Sequence, residues 1–158
     1  MGVELEVQRA TNLITTPEDG QFRCWVDHAI KQSEHDQMLV IRIVDEDEGR
    51  RFNQQYRCKD YATNVLSFPM DMPEGLPAEI VQSQLGDLLI CAPVVAREAA
   101  EQGKPEINHW AHLTIHGVLH LLGYDHEQPD DAQLMEALET DILASLDIPN
   151  PYETRRHL

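Results

Sequence analysis

Cysteine is scarce and badly placed for a structural role. Cys24, Cys58 and Cys91 are odd in number, scattered and never spaced as Cys-x-x-Cys, which argues against both a disulfide framework and a cysteine-built zinc site. Reduced thiols in a reducing compartment fit this pattern. No apolar run reaches membrane-spanning length, and the start, Met1-Gly2-Val3-Glu4-Leu5-Glu6, lacks the basic residues and apolar stretch of a secretion signal. The expectation is a cytoplasmic protein with no membrane attachment. No Ser/Gly-rich or Pro-rich linker divides the 158 residues, so residues 1–158 are read as one domain with a substantial core. Positive charge is also short. Twelve Lys and Arg face 28 Asp and Glu, for a net charge of −16, and none of the twelve lies between Pro105 and Thr154. That balance predicts solubility and repulsion from phosphate backbones and anionic membranes. The exception is local, since Arg50, Arg51, Arg57 and Lys59 crowd into ten residues. They form either a cationic patch or a solvated helix face with its own ion pairs.

Hydrophobic periodicity outlines the elements. Val3, Leu5 and Val7 alternate as in a half-buried strand, and Pro17 opens a helix through Phe22, Trp25, Val26 and Ile30. Residues Met38–Val44 read as a second strand and Glu46–Tyr56 as a polar helix. Asn64–Pro69 gives a third strand, Met72–Pro77 a loop rich in proline, and Gln84–Cys91 a fourth strand. After Pro93 the pattern is helical to Glu101, where Gly103-Lys104-Pro105 stops it. Ile107–Leu122 is apolar over most of its circumference, the mark of a buried central helix, apart from a stripe of His109, His112, His116 and His120. A last helix starts at Pro129 and runs through Leu134, Leu138, Ile142 and Leu146. Strands early and helices late predict an α+β fold: a mixed four-stranded sheet packed against several helices, with the histidine helix central.

The histidines carry the chemistry. In His116-Gly117-Val118-Leu119-His120-Leu121-Leu122-Gly123-Tyr124-Asp125-His126, the first two stand one helical turn apart on one face, so both imidazoles can converge on one ion. Gly123 occupies the position where a left-handed residue closes a helix, which lets the chain fold back and bring His126 to the same ion. Three protein ligands with an open fourth position is the pattern of a catalytic zinc. Zinc, one ion, is the first expectation, although Ni2+ and other divalent transition metals also accept imidazole. His112 is the rival ligand, but three consecutive turns of a straight helix span about 12 Å and cannot all reach one ion, so His112 is expected behind the ligands. His28, His35, His109 and His157 are assigned surface or structural roles.

The spacing His-x-x-x-His-x-x-Gly-x-x-His is also that of the metzincin peptidases, whose second position is a glutamate base. Here it is Gly117, so peptide hydrolysis by that route lacks its base, and the glycine is expected to leave room beside the ion for a bulky substrate.

Residues 116–126 match throughout the signature His-Gly-x-Leu-His-Leu-x-Gly-Tyr-Asp-His. Tyr56-Arg57, Lys59-Asp60, Thr63–Pro69 and Leu85-Gly86-Asp87 add further blocks in the same order. With these residues the chain closely resembles the YbeY family of bacterial metal-dependent endoribonucleases. The resemblance implies a zincin-like fold and a single endoribonuclease domain over residues 1–158. It also implies single-strand-specific cleavage in ribosomal RNA maturation, notably at the three-prime end of the small-subunit RNA, and in ribosome quality control. By the same resemblance His116, His120 and His126 hold zinc, Arg57 and His116 are the catalytic residues, and the ribosomal small subunit with its associated proteins is the natural partner. Zinc would lower the pKa of a bound water to about 7, and Arg57 would neutralise the scissile phosphate. Asp87 and Asp125 are read as carboxylates that orient a histidine or accept a proton, or else as turn and strand-end residues. Two other readings stay open: a non-enzymatic, metal-stabilised ribosome assembly factor, and a zinc peptidase without the usual glutamate base.

Overall fold

The computed structural model describes residues 3–12, 15–30, 37–69, 84–124 and 128–152. Their order is β1 (Val3–Ala10), α1 (Asp19–Ile30), β2 (Gln37–Val44), α2 (Glu46–Arg57), β3 (Val65–Pro69), β4 (Gln84–Cys91), α3 (Ala92–Gln102), α4 (Glu106–Leu121) and α5 (Pro129–Ser145). The strands form one sheet in the order β1-β2-β4-β3. β1, β2 and β4 run parallel, with Leu5 opposite Leu39 and Ile41 opposite Leu88. β3 closes the β4 edge antiparallel, with Ser67 opposite Leu88. This is the mixed four-stranded α+β architecture expected above. The proline-rich loop expected at residues 72–77 lies outside the described residues.

Alternation along the strands makes two cores. Leu39, Ile41, Ile43, Leu88 and Ile90 face the larger one, packed under α1, α4 and α5 through Phe22, Trp110, Ile115 and Leu143. Val44, Leu66, Leu89 and Cys91 face the smaller one, covered by Phe52 of α2 and Val94 of α3. A register shift between Met38 and Leu39, opposite Gly86 at φ +136°, lets Leu85 join Leu88 on the larger face despite the odd spacing. Trp110 is the largest fully buried side chain of α4, meeting Phe22 edge-on at 5.9 Å. α4 is thus the buried central helix.

One boundary and one helix face differ from the sequence reading. α1 starts at Asp19 rather than Pro17, because Glu18 takes the capping position: its carbonyl accepts from the Phe22 N–H, and its own N–H donates to Gln21 Oε1 at 2.8 Å. In α5 the inward stripe is Met135, Glu139, Ile142 and Leu143, whereas Leu134 is 54% exposed. Leu138, Ile142 and Leu146 pack on the core as expected, so only Leu134 departs from the expected stripe, and the buried face also takes in the carboxylate of Glu139.

Candidate metal centre

The stripe on α4 is real: His109, His112, His116 and His120 succeed one another at helical spacing, with neighbouring ring centroids 4.6 to 6.1 Å apart. His116 Nε2 and His120 Nε2 stand 3.1 Å apart. Two nitrogens each about 2.0 Å from one tetrahedral ion would be about 3.3 Å apart, so the pair fits a shared metal. The chain then turns as the sequence predicts. The Tyr124 N–H donates back to the Leu119 carbonyl, and Gly123 takes φ +104°, a conformation a side chain would strain. His126 and Asp125 lie outside the described residues.

Behind these histidines sits Glu139, wholly buried. Its Oε1 accepts from His112 Nε2 at 2.8 Å and from the Tyr152 hydroxyl at 2.6 Å, and its Oε2 faces His116 Nδ1 at 3.0 Å. Removing a carboxylate from water costs several kcal/mol, and three donors at these distances offset that cost. Burial would push the Glu139 carboxyl up, but the hydrogen bonds from His112, His116 and Tyr152 outweigh it and bring the carboxyl down to about 2. Burial holds His112 below the usual histidine range against the opposing pull of Glu139. Tyr152 is raised by burial and by the adjacent carboxylate, so its hydroxyl keeps its proton. His112, His116 and Glu139 each offer a ligand atom, all within 4.8 Å of one another, and this group could hold a metal ion. The histidine–carboxylate cluster is therefore metal-competent at two adjoining places, with His116 common to both.

His116 and His120 open onto a cavity of about 620 Å³. Its far wall is the end of α2 and the loop beyond: Arg57, Lys59 and Tyr61. This wall is built by a helix cap. Cys58 is left-handed at φ 58°, its N–H and that of Lys59 donate back to the Gln54 and Asn53 carbonyls, and the buried Asn53 side chain donates to the Tyr61 carbonyl at 2.7 Å. The basic cluster is thereby divided. Arg50 is spent on Asp60 at 2.6 Å, whereas Arg57 and Lys59 have no ion-pair partner among the described residues. The third wall is β3, fastened to α4 where Ser67 donates its hydroxyl to the Gly117 carbonyl at 3.2 Å.

Two expectations are corrected. Gly117 does not leave room for a substrate: a Cβ there would meet Leu88 Cδ2 at 2.7 Å and Ser67 Oγ at 3.4 Å, so the glycine lets α4 lie against the sheet. Asp87 does not orient a histidine. It alternates with Leu88, faces away from α4, and is exposed next to Glu6, with burial and that carboxylate raising its pKa. Of the remaining histidines, His109 is buried on Glu98 and His28 is bonded to the Cys24 carbonyl, as structural roles require, while His35 and His157 lie outside the described residues. Glu139 and Tyr152 were missed. The available signal was an acidic residue on the same helix face as the apolar Met135, Ile142 and Leu143.

Fold and cluster together define an α+β protein with a metal-competent histidine–carboxylate centre on its central helix. The family Endoribonuclease YbeY matches residues 6–147, and the chain belongs to that family. Curated relatives named Endoribonuclease YbeY include one from Pseudomonas putida, 57% identical over 150 residues, 95% of this chain and 93% of the relative. Another, from Halorhodospira halophila, is 56% identical over 141 residues, 89% of this chain and 91% of the relative. Among solved structures, the solution structure of TM1509 from Thermotoga maritima shares the fold with a TM-score of 0.57, covering 90% of this chain and 91% of that one at 22% identity. Among the described residues no helix is long and apolar enough to cross a membrane.

Proposed function

We propose that the chain is a metal-dependent endoribonuclease that cleaves single-stranded RNA in the cytoplasm. In this reading it acts in ribosomal RNA maturation, at the three-prime end of the small-subunit RNA, and in ribosome quality control, with the small subunit and its proteins as partners. The relatives' printed name supports the activity. The observation that carries it is one cavity lined both by His116 and His120, whose Nε2 atoms stand 3.1 Å apart, and by Arg57. His116 and His120, joined by His126, are the proposed ligands of one ion, taken to be zinc. Such an ion would supply Lewis acidity that activates water at neutral pH, for use as nucleophile or as base.

The remaining work falls to the protein. Arg57, without an ion-pair partner among the described residues, binds the scissile phosphate and neutralises the charge that grows on it, which a planar guanidinium does with two parallel hydrogen bonds. Lys59 adds a second cation beside it. These two groups give a strongly acidic chain one place where a phosphate is attracted. Glu139, deep behind His116, touches no substrate.

Metal analysis paired with cleavage assays on RNA and casein tests the proposal. The parent should carry one equivalent of metal and cut single-stranded RNA, and His116→Ala should lose both while keeping its helical signal. Cleavage of casein alone would turn the assignment to a peptidase. Metal without cleavage of either substrate would leave an assembly factor.

A further inference from the structure

We infer that Glu139 is a positioning residue for the metal: it holds His116 as the Nδ1–H tautomer, so that Nε2 presents its lone pair beside His120, and His112 and Tyr152 hold Glu139. The inference rests on His116 and His120 being ligands, as proposed above, and it chooses between the two overlapping places where an ion fits.

The geometry separates them. An ion among His112, His116 and Glu139 would rest against the wholly buried Glu139, with two of its three ligands outside the lining of the cavity. It would also displace what already satisfies that carboxylate. Tyr152 Oη is 2.6 Å from Oε1 and 3.2 Å from His112 Nε2, so three polar atoms already close on one another there. The cavity, by contrast, is lined by His116 and His120 and by neither His112 nor Glu139.

The tautomers follow from the partners. An ionised carboxylate only accepts, so each ring nitrogen facing Glu139 carries a proton. For His112 that nitrogen is Nε2, and its Nδ1 is buried without a hydrogen-bond partner among the described residues, which suits the ring nitrogen that carries no proton. For His116 it is Nδ1, leaving Nε2 as the basic nitrogen next to His120 Nε2. A metal-binding imidazole needs this division of labour, in which the outer carboxylate fixes the ring and raises its basicity. Packing alone does not require it, because an apolar residue would complete the stripe of Met135, Ile142 and Leu143. His112, one turn too far along the helix to share the ion with His120, is used instead as a donor to the carboxylate.

Glu139→Gln is the informative change. One end of the amide can still accept from His112 and Tyr152, but its NH2 then faces His116 Nδ1 and favours a lone pair there. The proton moves to Nε2, where the ion belongs. In the full-length protein, chelator competition should show Zn2+ affinity falling about 10–100-fold. Long-range 1H–15N NMR on the zinc-free protein should show His116 as Nδ1–H in the parent and Nε2–H in the variant. Tyr152→Phe, which leaves the His112 donor in place, should keep the parent tautomer and lose less affinity. An Nε2–H His116 in the parent would overturn the inference whatever the variants do. So would a folded E139Q with parental zinc affinity, or a variant His120→Ala that keeps its zinc while E139Q loses it, since Glu139 would then be a ligand. Should the parent show the expected tautomer and zinc effects yet leave RNA uncut, the nuclease reading falls and the positioning role stands.

Discussion

Two histidine–carboxylate partnerships on α4 have nearly the same geometry and different consequences. His109 Nε2 meets Glu98 at 2.8 Å, and His112 Nε2 meets Glu139 at 2.8 Å. The first is a structural tie. Glu98 also accepts from the Asn64 side chain at 3.0 Å, and Asn64 in turn accepts from the Val65 N–H through its side chain and from the Cys91 N–H through its carbonyl. Helices α3 and α4 are thus locked to the start of β3, the strand that forms one wall of the cavity. On the far side of the His109 ring, Nδ1 is buried without a hydrogen-bond partner among the described residues. The second partnership continues, because Glu139 also grips His116, and His116 reaches His120 and the cavity. A histidine bonded to a carboxylate therefore does not by itself mark a metal centre. What else the carboxylate holds decides: Asn64 in the first arm, His116 and through it the cavity in the second.

The sharpest way to break that distinction is to remove one histidine from each arm. His120→Ala should lose stoichiometric metal and reduce RNA cleavage to background, whereas His109→Ala should retain the metal. The latter should instead lower stability by about 1–3 kcal/mol, read as a fall in the melting temperature, because Glu98 loses its buried donor. Metal loss in His109→Ala with His120→Ala unaffected would reverse the roles of the two arms. A smaller effect is expected across the cavity. Arg57→Ala should keep its metal and its fold and cleave about 10²–10³-fold more slowly, the cost of removing one donor to a developing charge. Arg50→Ala, which removes a cation already paired with Asp60, should cleave at close to the parental rate. Equal rates for Arg57→Ala and the parent would remove Arg57 from the mechanism.

Much of this was legible in the chain, and the exceptions share a cause. The short β-branched apolar run Met38–Val44 and the apolar circumference of Ile107–Leu122 are local properties, and both elements formed as expected. The His116–His120 pair is local too, since four residues on a helix fix it. Glu139 is not. Its partners His116 and His112 lie 23 and 27 residues away in sequence. A carboxylate in a core is costly, and the three donors that offset the cost come from other segments. Gly117 was misread for the same reason. Its obstruction, Leu88, belongs to a strand whose approach the helix sequence does not record.

The smallest effect is expected in acid, and it belongs to the structural arm. Burial would raise the Glu98 carboxyl, but hydrogen bonds from His109 and Asn64 outweigh it and hold the folded pKa below the ordinary value. A carboxylate depressed on folding contributes stability that is fully present above its unfolded pKa, about 4.3 for glutamate, and is lost as the pH falls through its folded value. Stability of the parent should therefore decline with falling pH below that range, partly on account of Glu98. Glu98→Gln removes the titration while keeping an acceptor for Asn64 or His109, so its acid limb should be shallower than the parent's in urea melts run from pH 6 downwards. His120→Ala, which leaves the Glu98 arm intact, should retain the Glu98 share of the slope. An acid limb of identical steepness in the parent and in Glu98→Gln would show that the His109–Glu98 arm is not held together by the charge of its carboxylate.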